Sequence, residues 1–216
     1  MKAKALISAA IAVLLSSSMA WADDDDHRGQ YTTQEVMDLG QFETIISNAP
    51  FDIEFTQRNE QKVSIYGDPA QIANVNITLM GKSLIVGCKE NSNVSHVKVI
   101  VTAPDLTCAI VGASGDIEVK YLDNRKFTAT ISGSGDIELT GSCDQAVYNA
   151  NGSGDIDGEE FRVEYLDATV NSSGSIDCRC TETLNANVVG SGEIEIHGPT
   201  RMVNRAGRKA AIRHDH

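Results

Sequence analysis

Residues 131–139 read ISGSGDIEL, and four variants of this phrase recur along the chain at a nearly constant spacing. The variants are VGASGDIEV at 111–119, ANGSGDIDG at 150–158, NSSGSIDC at 171–178 and VGSGEIEI at 189–196. The second glycines of the five phrases are Gly115, Gly135, Gly154, Gly174 and Gly192, separated by 20, 19, 20 and 18 residues. A period near twenty residues predicts stacked supersecondary units, because one such unit cannot bury its own apolar side.

The residues around each glycine alternate in polarity with a period of two. An isoleucine stands two residues after every glycine: Ile117, Ile137, Ile156, Ile176 and Ile194. Before the glycines, small or apolar residues such as Ala168 and Val170 alternate with polar ones such as Asp167 and Thr169. This alternation is typical of strands. We therefore predict an all-β fold, a single-stranded parallel β-helix with coils of 18–20 residues. We expect right-handed winding, the usual hand of parallel crossovers, and one inward column of isoleucines.

The glycine of each phrase and the serine before it are predicted to shape the corner between two strands. The serines are Ser114, Ser134, Ser153, Ser173 and Ser191. We expect the glycines to adopt positive φ, where a Cβ atom is unfavourable, and the serines to fit a crowded corner. Both roles are architectural.

Residues 31–104 are predicted to form wider, irregular coils at the N-terminal end. The sequence FDIEF at 51–55 is a degenerate copy of the repeated phrase. Further segments alternate as strands, at 62–66, 76–79, 83–86 and 96–101. Met80, Gly81 and Lys82 predict a hairpin turn between two of them.

The chain divides into four segments. Residues 1–22 combine Lys2 and Lys4, an apolar run and small residues ending at Ala22, as a secretory signal peptide does. An acidic N-terminal lead (23–39) and the β-helix domain (40–199) follow. The basic residues 200–216 either cap the last coil or remain a loose tail. We expect an exported protein that is periplasmic, on the cell surface or secreted, with no membrane span.

The net negative charge of the chain limits the classes of partner that it can bind. The net charge is −12, and it becomes about −14 once the signal peptide removes two lysines and no acid. Such a surface repels nucleic acid and anionic lipid head groups, and it suits cations or basic partners.

Two rows of acidic side chains are predicted to face outward beside the isoleucines. The first contains Asp116, Asp136 and Asp155, and the second contains Glu118, Glu138 and Asp157. One interpretation is a cation-binding stripe, with calcium as the best-fitting ion because it takes several oxygen ligands. The other is a solvated face that resists aggregation, in which the first row also bonds the corner amides. We favour the second interpretation.

The glycines do not indicate other known sites. The calcium β-roll repeat has a period of nine residues, and phosphate-binding glycine loops need a following helix, whereas a strand follows here. The acidic residues recur with the period of the coils, and no two of them are distinguished from the others as a general acid and a general base. We predict no catalytic residues and no resident cofactor apart from the calcium alternative.

The chain has five cysteines, an odd number, so at least one is expected to remain unpaired within the chain. Cys88 and Cys108 are 20 residues apart, one coil length, which predicts neighbouring positions that could form a disulfide. Cys178 and Cys180 together with His197 are a weak indication of zinc, and the inward position of Cys178 favours core packing instead.

The order of segments resembles a known family. The sequences FETIISNAPFDIEF (42–55), VSIYGDPAQI (63–72) and SLIV (83–86), followed by the SGSGDIEL phrases, are similar to the head GIN domain of auto-transporter adhesins, found in exported bacterial proteins. The resemblance covers residues 40–198 and implies a single-stranded right-handed β-helix in a surface or periplasmic setting. It does not imply an activity, because the family offers no catalytic residues to carry over. Our leading hypothesis is a non-catalytic adhesion or envelope-interaction module whose partner is a protein or glycan. A calcium-dependent binder and a polysaccharide-active enzyme are the alternatives.

Overall fold

The computed structural model describes residues 31–36, 39–90, 92, 94–207 and 211–215, so the predicted signal peptide lies outside the described residues. The described residues form a β-helix of stacked parallel coils, which confirms the predicted fold class. Its N-terminal strands are β1 (Thr32–Glu35), β2 (Thr44–Asn48), β3 (Asp52–Gln57), β4 (Lys62–Gly67), β5 (Val75–Met80), β6 (Ser83–Cys88) and β7 (Val97–Ala103). The strands that follow are β8 (Cys108–Val111), β9 (Ile117–Ile131), β10 (Ile137–Ala150), β11 (Ile156–Val170), β12 (Ile176–Val188), β13 (Ile194–His197), β14 (Met202–Gly207) and β15 (Ile212–Asp215). One short helix, α1 (Pro69–Ile72), separates β4 from β5.

The five repeated isoleucines form one inward column. Their Cα atoms pair coil by coil along β9 to β13, and every one of their side chains is fully buried. Ile53 continues the column on the N-terminal side by pairing with Ile117, and Ile212 continues it on the C-terminal side by pairing with Ile194. The predicted column is therefore confirmed, and it is longer than the repeat alone indicates.

Within the repeats, coil length varies inside the long strands and not at the corners. In the repeats, from β8 to β13, the separation between the last residue of one strand, such as Ile131 or Val170, and the next isoleucine is always six residues. Register shifts occur instead within the long strands, for example between Leu139 and Gly141 and between Gly158 and Arg162. These register shifts absorb extra residues and leave the regular pairing intact on either side, as β-bulges do.

The N-terminal coils do not stack in chain order. The predicted copy FDIEF lies in β3, which packs beside β9, while the later strand β7 lies on the far side of β3. In the same way β2 lies between β6 and β8. Strands β4 and β5 run antiparallel to β7 and β6, and the predicted hairpin turn joins β5 to β6. This end of the stack is therefore formed by antiparallel strands, which accounts for its irregular sequence.

At the C-terminal end, one further coil stacks on the last repeat. Strand β14 runs parallel to the second half of β12, and β15 runs parallel to β13. Two surface ion pairs accompany this coil, between Arg201 and Glu182 (3.2 Å) and between Arg213 and Glu193 (3.4 Å).

The corner glycines are required for a different reason from the predicted one. None of the five has a positive φ. A Cβ atom on Gly135, Gly154, Gly174 or Gly192 would instead lie nearer than 3.0 Å to the carbonyl oxygen of the glycine stacked below it, a separation that real Cβ atoms essentially never show. The prediction of positive φ was wrong, because what limits the side chain is the close stacking of backbones and not the sharpness of the turn.

One aromatic residue interrupts the small residues beside the column. Tyr148 pairs with Ala129 and Ala168 and is fully buried. Gly158 provides space for it, since a Cβ atom there would be 3.1 Å from the ring and from the phenolic oxygen. The Tyr148 hydroxyl has no hydrogen-bond partner among the described residues, and burial raises the pKa of Tyr148 well above its ordinary value.

Replacing Tyr148 with phenylalanine is expected to raise the free energy of unfolding by about 1 kcal/mol, because it removes a buried hydroxyl that has no partner. Urea denaturation followed by circular dichroism measures the change. The control is Tyr165→Phe, since Tyr165 is 49% exposed and should be nearly neutral. A clear loss of stability in Tyr148→Phe would show that the hydroxyl is bonded, for example to a buried water.

The cysteines do not form the expected pair. Strand β2 separates the strands that carry Cys88 and Cys108, and Cys108 pairs with Thr44 whereas Gly87 pairs with Asn48. Cys88 is therefore offset from Cys108 by five residues, about 16 Å along the strands, far beyond the Cα separation of about 7 Å that a disulfide tolerates. All five cysteines are free thiols, so the predicted disulfide is wrong. The spacing of 20 residues is not one coil in this region, because the coils are interleaved.

Candidate functional site

The first acidic row holds the corners together through the main chain. Each carboxylate accepts a hydrogen bond from the amide of the equivalent residue in the next coil. Asp116 Oδ1 accepts from Asp136 N at 2.8 Å, Asp136 Oδ1 from Asp155 N at 2.7 Å, and Asp155 Oδ1 from Ser175 N at 2.6 Å. Asp52 begins the series by accepting from Asp116 N at 3.2 Å. Bonds from an amide to a charged acceptor are stronger than neutral ones, and they offset repulsion along the row.

The second acidic row is a straight line of carboxylates on one outward face. Its members pair in register, one per coil: Glu54, Glu118, Glu138, Asp157, Asp177 and Glu195. Neighbouring strands lie about 4.8 Å apart, so adjacent charges repel by about 1 kcal/mol in water and by more near a protein surface. The structure therefore brings the six predicted ladder residues into two rows, with the first row bonded to amides and the second facing solvent.

Lysines neutralise the N-terminal end of the second row. Lys98 Nζ lies 2.7 Å from Glu54 Oε2, and Lys120 Nζ lies 2.8 Å from Glu118 Oε1 and 3.5 Å from Glu54 Oε1. The hydrogen bond from Lys98 lowers the pKa of Glu54, although burial opposes it. The hydrogen bond to Glu118 raises the pKa of Lys120. This end of the row is a compact ion-pair network.

The C-terminal end of the second row carries a histidine instead of a lysine. Arg213 pairs in register with Glu195, yet its guanidinium contacts Glu193. His197, only 14% exposed in its side chain, places Nε2 3.9 Å from Asp177 Oδ1. One donor atom from each of Asp177, Glu195 and His197 lies within 4.8 Å of the other two. Burial raises the pKa of Asp177, with His197 opposing and the neighbouring acids adding to the shift.

Sequence reasoning considered His197 only together with Cys178 and Cys180, and it favoured core packing of Cys178 over a zinc site. Cys178 and Cys180 point inward and are fully buried, and burial raises the pKa of both thiols, whereas His197 lies on the outward face with Glu195. The favoured expectation, core packing of Cys178, is therefore confirmed, and the alternative zinc combination of Cys178, Cys180 and His197 is excluded. The alternation of side-chain direction along β13 identifies the real cluster. Glu195 and His197 are two residues apart, so their side chains lie on the same face of the strand.

A surface depression of about 260 Å³ lies beside β1 and β4, and β7 separates these strands from β3, where both acidic rows begin. Glu35, Glu60 and Lys62 line part of it, and Glu35 forms an ion pair with Lys62. Within the described ranges, no helix has the length and apolar character needed to cross a membrane. The outward rows, not this depression, are therefore the most distinctive chemical feature of the surface.

Comparisons with known proteins agree with this architecture. Residues 41–199 match the family described as "Putative auto-transporter adhesin, head GIN domain". Among solved structures, a "putative adhesin" from Bacteroides fragilis is 19% identical and superposes with a TM-score of 0.67, covering 86% of this chain and 97% of that one. A "putative lipid binding protein" from Parabacteroides distasonis is 21% identical with a TM-score of 0.53, covering 88% and 98%. A search among curated proteins found no match. At these identities the solved structures show the fold.

Proposed function

The chain belongs to the family described as "Putative auto-transporter adhesin, head GIN domain", and we propose that it is an exported, non-catalytic β-helix protein that binds a partner in the cell envelope or at the cell surface. The sequence of residues 1–22 supports export, and the family supports a surface or periplasmic setting. The binding face that we propose is the second acidic row, which would receive a basic segment of a protein or a cationic glycan.

The observation that carries this proposal is the uneven charge compensation along the row. Glu54 and Glu118 are paired with lysines, but neither Glu138 nor Asp157 forms an ion pair with any described lysine or arginine. A partner with positive charges at strand spacing would relieve the repulsion between them. The array is long and open, which suits an extended partner better than a small molecule.

The first acidic row supports a structural role and not an acid–base role. The carboxylates of Asp116, Asp136 and Asp155 are bonded to amides of the next coil, so they are held in place as part of the corner. A calcium-dependent binder remains the alternative for the second row, where Glu138 and Asp157 offer oxygens one coil apart. A polysaccharide-active enzyme receives no support from this arrangement.

Binding to a basic probe tests the proposal. The mature chain (residues 23–216) is expected to bind a ten-residue oligolysine, and the double variant Glu138→Gln, Asp157→Asn to bind it about three- to tenfold more weakly, because two uncompensated charges are lost. Fluorescence anisotropy measures the affinity, which should fall as salt is raised. A protein and glycan array would then identify natural partners.

The matched control removes two acids outside the row. Asp144→Asn with Glu164→Gln changes the net charge equally at exposed positions. Its affinity for oligolysine should stay within about twofold of the wild type, since the long-range effect of distant surface charges is screened. Equal weakening by both double variants would show that only overall charge matters, and it would contradict a binding face on the second row.

A further inference from the structure

We propose a binding site for a divalent transition metal, with zinc as the best-fitting ion, formed by Asp177, Glu195 and His197. The three side chains lie at the C-terminal end of the second acidic row, on β12 and β13. The site shares Asp177 and Glu195 with the second acidic row. It does not include Glu138 or Asp157, whose uncompensated charges carry the proposed binding of a basic partner, so substitutions at those two residues test that proposal without removing a metal ligand.

Backbone geometry sets the three donors side by side. Asp177 and Glu195 pair in register on adjacent strands, and His197 follows Glu195 by two residues on the same face. The donor atoms lie within 4.8 Å of one another. A tetrahedral ion with bonds of about 2.1 Å separates its ligand atoms by about 3.4 Å. The 3.9 Å between His197 Nε2 and Asp177 Oδ1 exceeds this separation by about half an ångström, and a pair at the limit of 4.8 Å would exceed it by about 1.4 Å, which rotation of the partly exposed carboxylates can close.

A second carboxylate faces the other nitrogen of the imidazole. Glu159 Oε1 lies 3.8 Å from His197 Nδ1, opposite the side that faces Asp177. Histidines that bind metals commonly donate their remaining N–H to a carboxylate, which fixes the ring orientation and the tautomer. At 3.8 Å this contact is longer than a hydrogen bond, so Glu159 would act as a positioning residue after a side-chain movement of about 0.8 Å, while Nε2 is directed at the site.

The donor types select the ion. An imidazole nitrogen with two carboxylates suits zinc and neighbouring transition metals, and a water would complete four-coordination. Calcium prefers six to eight oxygen ligands, which this cluster does not provide. The charge also fits, because a divalent cation would compensate Asp177 and Glu195, whereas the nearby Arg213 is directed at Glu193.

Metal titration of the mature chain tests the site. After dialysis against a chelator, calorimetry with zinc is expected to show saturable binding at one ion per chain, and cobalt(II) should give visible absorption bands. The substitutions His197→Asn, Asp177→Asn and Glu195→Gln should each weaken zinc binding by more than about tenfold, and Glu159→Gln by about tenfold. The last three preserve side-chain shape, and circular dichroism confirms that each variant is folded.

The control is His96→Asn, which removes one exposed imidazole far from the site and keeps a residue that tolerates positive φ. It should bind zinc as the wild type does. NMR resonances of the His197 ring should shift on addition of zinc. Zinc binding of wild-type strength in His197→Asn would place the ion at another imidazole and overturn the proposal. Tighter binding of calcium than of zinc would equally overturn it.

Discussion

Replacing Gly154 with alanine is expected to lower the free energy of unfolding by more than about 3 kcal/mol or to prevent folding altogether. The new Cβ atom would lie nearer than 3.0 Å to the carbonyl oxygen of Gly135, and two corners of the same stack would have to separate. Backbone carbonyls cannot rotate away as a flexible side chain can. Urea denaturation and thermal melting followed by circular dichroism measure the effect.

Gly87→Ala is the matched control for this experiment. At Gly87 the nearest atom to a new Cβ would be Asn48 O at 3.7 Å, an ordinary van der Waals distance, and φ is not positive. This variant should remain within about 1 kcal/mol of the wild type, because the Gly→Ala change then mainly reduces the entropy of the unfolded chain. If both variants were equally stable, close stacking of the corners would not explain the glycines.

Replacing Ile156 with alanine is expected to lower the free energy of unfolding by about 2–5 kcal/mol, because it leaves a cavity in a fully buried column. Ile137 and Ile176 pack above and below Ile156, and their positions are fixed by their own strands, so the column cannot collapse into the gap. Urea denaturation provides the value.

Two control substitutions show whether the loss of stability depends on the burial of the side chain and on the number of atoms removed. Ile156→Val removes one methylene and should cost about 0.5–1.5 kcal/mol. Val189→Ala changes a side chain that is 62% exposed at a corner and should be nearly neutral. A cost below about 1 kcal/mol for Ile156→Ala would mean that the isoleucine column contributes little to stability.

The stacking of the repeats could be predicted because two periods in the sequence lead to the same arrangement. The period of two along each strand assigns Ile137 to the inside, and the spacing of about twenty residues sets it above Ile117. A register error of one residue would turn the whole apolar set outward, so only one arrangement buries it. The same reasoning placed the acids outside and in rows.

The N-terminal order could not be predicted from the same signals. Strands β3 and β7 both alternate, and nothing in their residues indicates that the earlier strand lies closer to the repeats. The expected disulfide between Cys88 and Cys108 failed for this reason, since counting residues assumes that coils follow one another in space. At the corners, the sequence showed that glycine is needed but not why, because positive φ and close backbone approach both exclude a side chain.

The candidate metal site was missed because its members come from different patterns. Asp177 and Glu195 belong to the acidic repeat, whereas His197 is a single residue outside it. Their proximity depends on the pairing of β12 with β13, and His197 drew attention first to the nearby cysteines. Only the inward direction of Cys178 and Cys180 separates the two groups.

In the repeats, the six-residue corners keep a constant length, and the register shifts within the long strands take up the differences in coil length. This arrangement determines where the coil can change during evolution. Register shifts such as that between Gly158 and Arg162 lie on the side where coil length changes, while the corner keeps the isoleucines aligned. Insertions and deletions can therefore accumulate on one flank of the molecule without disturbing the stack. That flank is where relatives can diversify in shape, and where a foreign loop could be grafted onto the scaffold.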